Sequence, residues 1–224
     1  MDWLSVTENA AKCQRNWTDE PVKEEDIELI MKACTNMPTR KNIIDYELFA
    51  FTDKEHIKHI FSIAQDDLDF SLSNRAKYHN GQMMAPLVLI WGRTDIVDQY
   101  LISDYTEGYA DNENTNNDRE VDYRSPEQNG TSVTTQSMHV GISSSAAAIV
   151  AQSLGYQTGF CGCVLNDEML IFLKQFSNNV KEFSVALGVG KGRPGVPRNY
   201  VFENDEHVYT NSVFGRKTIT TYRI

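Results

Sequence analysis

The sequence predicts an α+β fold, one domain over residues 1–224, and three observations carry that reading. Ile27, Ile30, Met31 and Cys34 recur at the i, i+3, i+4, i+7 spacing of one helical face. The run PLVLIWG, from Pro86 to Gly92, is continuously apolar between a proline and a glycine, as suits a strand buried on both faces. Helical and strand patterns are mixed along the chain, with helices dominating, and 224 residues suffice for one substantial core.

Taken in order, Ser5 and Glu8 in SVTE form a capping-box pattern that opens a short first helix, leaving Lys12, Cys13 and Arg15 at or beyond its end. The amphipathic helix of PVKEEDIELIMKAC comes next. YELFAF, from Tyr46 to Phe51, has strand composition, and Thr52 with Glu55 repeat the capping box to start a helix reaching about Gln65. Beyond the apolar strand, residues 94–136 are acidic, rich in asparagine and aperiodic, which reads as a lid-like insertion rather than a separate domain. A small-residue helix from Ser143 to Leu154 ends at Gly155 as its C′ residue. A turn from Gln157 to Cys163, a helix near Asp167 to Phe176 and the strand EFSVALGVG follow. The closing RKTITTYRI alternates, and as an unpaired edge would be a liability, so it is expected to join a sheet, the partner subunit's included.

The formal net charge of -10 argues against nucleic acid or an anionic membrane as the main partner, because a field of that sign repels both. No run approaches the ~20 apolar residues that span a bilayer, and MDWLSVTENAAKCQ lacks the basic-then-apolar order of a secretory signal. A cytoplasmic protein is expected, with its 4 cysteines as reduced thiols.

Catalytic motifs are scarce: G-x-S-x-G, the P-loop and H-E-x-x-H patterns do not occur. His56 and His59 lie one turn apart, but nothing at matching spacing completes a ligand set, so a solvated helix face is expected and no metal. Cys161 and Cys163 form C-x-C without the second pair of a structural zinc site, which reads as small lining residues in a crowded turn. GVGKGRPG, from Gly188, reads by itself as a loop. The basic residues Lys12, Arg15, Arg40, Lys41, Arg193 and Arg198 are either scattered surface charges or, if the fold gathers some of them, a positive pocket suited to phosphate.

Four segments, in this order, resemble the nitroreductase family of FMN-dependent oxidoreductases. KCQRNWTDEPV is similar to its Arg-Arg-Ser-x-Arg-x-Phe segment, with Lys12 for the second Arg, Cys13 for the Ser, Arg15 kept, Trp17 for the Phe and Ala11 where many members have arginine. MPTRKNIIDYELFAF resembles the Pro-Ser-x-x-Asn-x-Gln-Pro-Trp segment. Pro38, Thr39 and Asn42 match it, whereas Ile44 and Asp45 stand where Gln and Pro are usual. HVGISSSAAAIVAQSLGYQTGFCGCV looks like the long core helix and the turn beside the flavin, with His139 for a common Asp and Ala146 for a common Asn. SVALGVGKGRPGVPRNYV is similar to the late strand and its basic sequel, with Arg198 as a second phosphate contact.

The resemblance implies a three-layer α/β/α fold with a mixed, mainly antiparallel sheet and a swapped homodimer. It implies FMN held at phosphate and ribityl chain by Lys12, Cys13, Arg15 and Arg198. Phe160, Cys161, Gly162 and Cys163 would lie by the ring, and Pro38, Thr39 and Asn42 would reach it from the partner subunit. The activity implied is hydride transfer from NADH or NADPH through FMN to a small-molecule acceptor, a nitroaromatic or quinone, by a ping-pong route. No side chain is assigned a catalytic role, since the flavin carries the chemistry. Tyr105, Tyr109 and Tyr123 in the acidic insertion would help to cover the substrate side and disfavour anionic acceptors. A dehalogenating or oxidative flavoenzyme of the same fold, a flavin-binding protein with little turnover, and an unrelated binding module remain the alternatives.

Overall fold

The computed structural model describes residues 2–39, 44–66, 80–94, 133–162, 167–203 and 205–210. Its elements are α1 (Trp3–Ala10), α2 (Glu24–Thr35), β1 (Tyr46–Phe51), α3 (Lys54–Asp66), a 3-10 turn (Gly81–Met84), β2 (Leu87–Thr94), α4 (Val133–Ser153), β3 (Gln157–Cys161), α5 (Asp167–Leu173), β4 (Val180–Gly190), β5 (Tyr200–Glu203) and β6 (Glu206–Thr210). The expected α+β mixture is present.

A 4-stranded sheet of order β1-β2-β4-β3 divides the core, and every pairing in it is antiparallel. The apolar run makes β2 an interior strand, and its side chains alternate between two layers. Val88 and Ile90 join a cluster with Ile60, Met83, Phe172 and Phe183, on the side of α3 and α5. Leu87, Leu89 and Trp91 join Ile30, Tyr46, Ala147 and Leu187, on the side of α2 and α4. The three-layer α/β/α arrangement thus follows from one strand with no solvated face, each large apolar side chain contributing about 1.5–3 kcal/mol on burial.

Several boundaries differ from expectation. The cap of α1 is Asp2, whose carboxylate accepts from Leu4 N at 3.1 Å, so Ser5 and Glu8 lie inside the helix. Likewise Asp53, not Thr52, caps α3, accepting from the Glu55 and His56 amides at 3.0 Å each. Its carboxyl is held below the usual range chiefly by the His56 amide. The helix α4 starts ten residues before Ser143, because tertiary partners satisfy the polar residues that made TTQSMHVGISSS a poor helix by propensity. His139 Nδ1 lies 3.0 and 3.1 Å from the two Asp45 oxygens, with both side chains fully buried. Ser143 Oγ accepts from Trp91 Nε1 at 2.9 Å and donates to the Cys34 carbonyl at 3.0 Å, which also accepts from the Tyr46 hydroxyl at 3.1 Å.

Gly155 does close the long helix region, with φ at 90°. The expected turn from Gln157 to Cys163 is instead, as far as Cys161, an edge strand paired to β4. The hairpin of β5 and β6 was not expected at all; it turns through Asp205 at φ 65°. His56 and His59 are exposed on α3, where they meet the rings of Phe51, Phe172 and Phe176 at centroid distances of 5.1–5.9 Å. Most of the acidic stretch (residues 95–132), the terminal RKTITTYRI, and Arg40, Lys41, Asn42 and Cys163 lie outside the described residues.

Candidate functional site

The first site segment begins where α1 ends. Past Ala10 the chain leaves the helix and runs along the outer edge of β3, where Gln14 N donates to the Thr158 carbonyl at 2.8 Å and the Cys13 thiol faces the Phe160 carbonyl at 3.7 Å. This approach is possible because residue 159 is glycine: a Cβ there would stand 2.7 Å from Gln82 Cβ and closer still to the Gln14 carbonyl oxygen.

The second segment is the loop between β4 and β5. Arg15 N donates to the Arg198 carbonyl at 2.9 Å, which ties this loop to the first segment. The Arg198 guanidinium reaches the carbonyls of Asn9 and Lys12 at 3.3 and 3.5 Å and the Asn9 side-chain oxygen at 3.5 Å. Lys12 Nζ donates to that same Asn9 oxygen at 3.2 Å. Burial pushes the Arg198 guanidinium below its ordinary value, while the adjacent Cys13 thiol acts in the opposite direction.

The fold therefore gathers Lys12, Cys13, Arg15 and Arg198 with the end of β3. Among the described residues none of Lys12, Arg15 and Arg198 has a carboxylate within ion-pair distance. Arg15 Nε is buried with no hydrogen-bond partner among them. In a chain of net charge -10, cations gathered without counter-ions form a site for an anion. Arg193 does not belong to it, being paired with Asp205 at 2.6 Å and stacked over Phe202.

Beside the cations, Phe160 and Gly162 are exposed, and a Cβ built at Gly162 would meet no protein atom within 4 Å. A flat group has open access to the backbone here. Cys161 differs from its neighbours: its side chain is 1% exposed and belongs to the core cluster with Met169 and Phe172, so it does not line the site. Pro38 and Thr39 follow α2, and no hydrogen bond joins them to the cations among the described residues. Pro38 is exposed, and Met37 before it lines an apolar groove of about 760 Å³ with Ala33 of α2 and Met138, Ile142, Ala146 and Ile149 of α4.

Two residues central to this geometry, Asn9 and Asn16, were not singled out from sequence. Each is an uncharged amide in a segment read for its cations, and only the hydrogen bonds across the fold reveal it.

No family model matches the sequence, and no curated protein does. Solved structures do. The chain is similar to a nitroreductase with bound FMN from Bacteroides fragilis, at 12% identity and a TM-score of 0.61 over 100% of both chains. It is similar to a hypothetical oxidoreductase from Bacillus subtilis at 21% identity and a TM-score of 0.60, over 93% of this chain and 76% of that one. It also resembles the NADPH:FMN oxidoreductase of Vibrio harveyi complexed with NAD+, at 16% identity and a TM-score of 0.56, over 94% and 80% of the two chains. The chain has the nitroreductase fold.

Proposed function

On that fold, we propose that the protein is an FMN-dependent oxidoreductase that passes a hydride from NADH or NADPH to a nitroaromatic, quinone or similar small acceptor by a ping-pong route. One observation carries the proposal: Lys12 and Arg198 share the Asn9 side-chain oxygen, the Arg15 backbone is tied to Arg198 beside the end of β3, and none of the three cations has a carboxylate partner among the described residues. Those cations suit a phosphomonoester, and Phe160 and Gly162 leave backbone accessible to a planar ring.

When bound, FMN would supply the hydride chemistry. The chain's own part is binding and orientation. Lys12 and Arg198 neutralise the phosphate, Arg15 Nε gains the acceptor it lacks, and the Cys13 thiol lies between the cations and the strand. The backbone at Gly162, with that of Cys163 beyond the described residues, would hold the ring edge. No titrating side chain is needed for the transfer itself.

A homodimer completes the proposal. The groove between α2 and α4 leaves apolar side chains uncovered, with Met138 at 51% exposure, as a face covered by a second subunit would. Pro38 and Thr39, which follow Met37 of that groove, would reach the partner's flavin, together with Asn42, which lies outside the described residues. The outer edge of β1 has no paired strand among the described residues and would receive the partner's terminal strand. The proposal treats residues 1–224 as one domain, with the acidic stretch at about 94–136 covering the substrate side, in a cytoplasmic protein. Among the described residues no helix is long and apolar enough to cross a membrane, and no disulfide joins Cys13, Cys34 and Cys161 to one another.

The test is a visible spectrum of the purified protein after FMN loading, followed by anaerobic NADH or NADPH. Bleaching of the flavin band and its return with a quinone or nitroaromatic are expected. Full loading without bleaching by either nucleotide would leave a flavin-binding protein; no uptake of FMN would end the proposal.

A further inference from the structure

Arg198 sits in a loop that buries no side chain in the core. Residues 191–199 form neither helix nor strand, and none of them is buried. Polar tethers hold the loop, among them the Arg15 N bond to the Arg198 carbonyl and the Gly192 N bond to the Gln157 side chain, and one buried side chain bonds it at three points around Arg198. Asn16 is 2% exposed; its Nδ2 donates to the Pro197 carbonyl at 2.8 Å and the Tyr200 carbonyl at 2.9 Å, on either side of Arg198. Its Oδ1 accepts from Arg193 N at 3.2 Å and from Gln14 Nε2 at 3.1 Å. The amide thus uses both donors and both acceptor positions, which fixes its orientation. Gln14, also 2% exposed, holds it from behind by a second bond to the Asn16 carbonyl at 2.7 Å.

We infer that Asn16 is the positioning residue of the anion clamp: its side-chain amide sets the spacing between the segment bearing Lys12 and Arg15 and the loop bearing Arg198. The inference rests on the reading of that clamp as the FMN phosphate site. Asn16 is buried and uncharged, so it acts on the ligand only through where it places Arg198. A charge-assisted contact depends steeply on placement, whereas contacts to the ring, made by the separate end of β3, do not pass through Asn16.

That separation supplies the test. Flavin-stripped wild type and the variants N16A and N16D are titrated with FMN and with riboflavin, which has the same ring and no phosphate. Wild type is expected to prefer FMN by about 100-fold, and N16A to reduce that preference about tenfold with riboflavin affinity unchanged. N16D, which turns two donors into acceptors facing carbonyls, is expected to lose at least as much. Should either fail to fold, Q14M, which removes the Gln14 amide with its two hydrogen bonds to Asn16 and leaves the Asn16 side chain in place, is expected to reduce the preference by about threefold. Equal weakening of both flavins, or an unchanged preference in the variants that fold, overturns the positioning role while leaving the FMN reading intact. Wild type binding neither flavin overturns both.

Discussion

Lys12 Nζ and Arg198 Nη2 share one acceptor, the side-chain oxygen of Asn9, at 3.2 and 3.5 Å. A neutral oxygen holds the two cations together without cancelling their charge, which a carboxylate in its place would do. Asn9→Asp is therefore expected to weaken FMN binding about tenfold, and Arg198→Ala by about 10- to 100-fold, in fluorescence titrations. Raising salt should narrow the gap between each variant and wild type.

Gly159→Ala places a methyl group against the Gln14 carbonyl and Gln82 Cβ. Backbone is the obstacle on one side, so the 13–15 segment must move off the strand. A loss of about 2 kcal/mol in denaturant unfolding is expected, together with weaker FMN binding.

Cys34 is fully buried, and burial pushes its thiol up to about 12 from an ordinary 9.0, with the Ser143 hydrogen bond opposing the rise. The folded thiol keeps its proton where the unfolded one has lost it. Its stabilising contribution is thus complete below pH 9 and falls away as pH rises from 9 towards 12. Unfolding midpoints measured across this window should drop less steeply in Cys34→Ala than in wild type, by an amount approaching ~4 kcal/mol at the upper end.

His139→Leu leaves the fully buried Asp45 carboxylate without its imidazole partner. The expected cost is about 3 kcal/mol, and Asp45→Asn in the same chain should recover part of it. Equal and additive losses in the double-mutant cycle would show that the two residues do not act as a pair.

Ile149→Glu puts a carboxylate into the apolar groove between α2 and α4. Light scattering should then report half the wild-type mass, with loss of FMN following, since the proposed ring contacts at Pro38 and Thr39 come from the partner.

The core was legible because its signals were redundant. Ile27, Ile30 and Cys34 could share only a helical face, and Leu87 to Trp91 left no solvated side, so α2 and β2 lie where the pattern put them. Capping was misplaced by one to three residues because two residues with suitable side chains competed at each start, and Asp2 and Asp53 took the caps. The early part of α4 and the whole of β3 were missed for one reason: their local composition is poor, and what holds them comes from elsewhere in the chain. Asp45 and His139, both departures from the family pattern, turn out to face each other across 94 positions, a compensation no reading of either segment alone could show. Of the site, the cations were legible as charges; the amides of Asn9 and Asn16 that arrange them were not.

The two jaws of the clamp stand far apart along the polypeptide: Arg198 meets the Lys12 carbonyl across 186 positions. Both segments must therefore be made and brought together before an anion of that size finds a seat between them. Once seated, the ligand would tie the turn after α1 to the loop after β4, so that uptake of colour doubles as a report that these two distant segments have closed on each other.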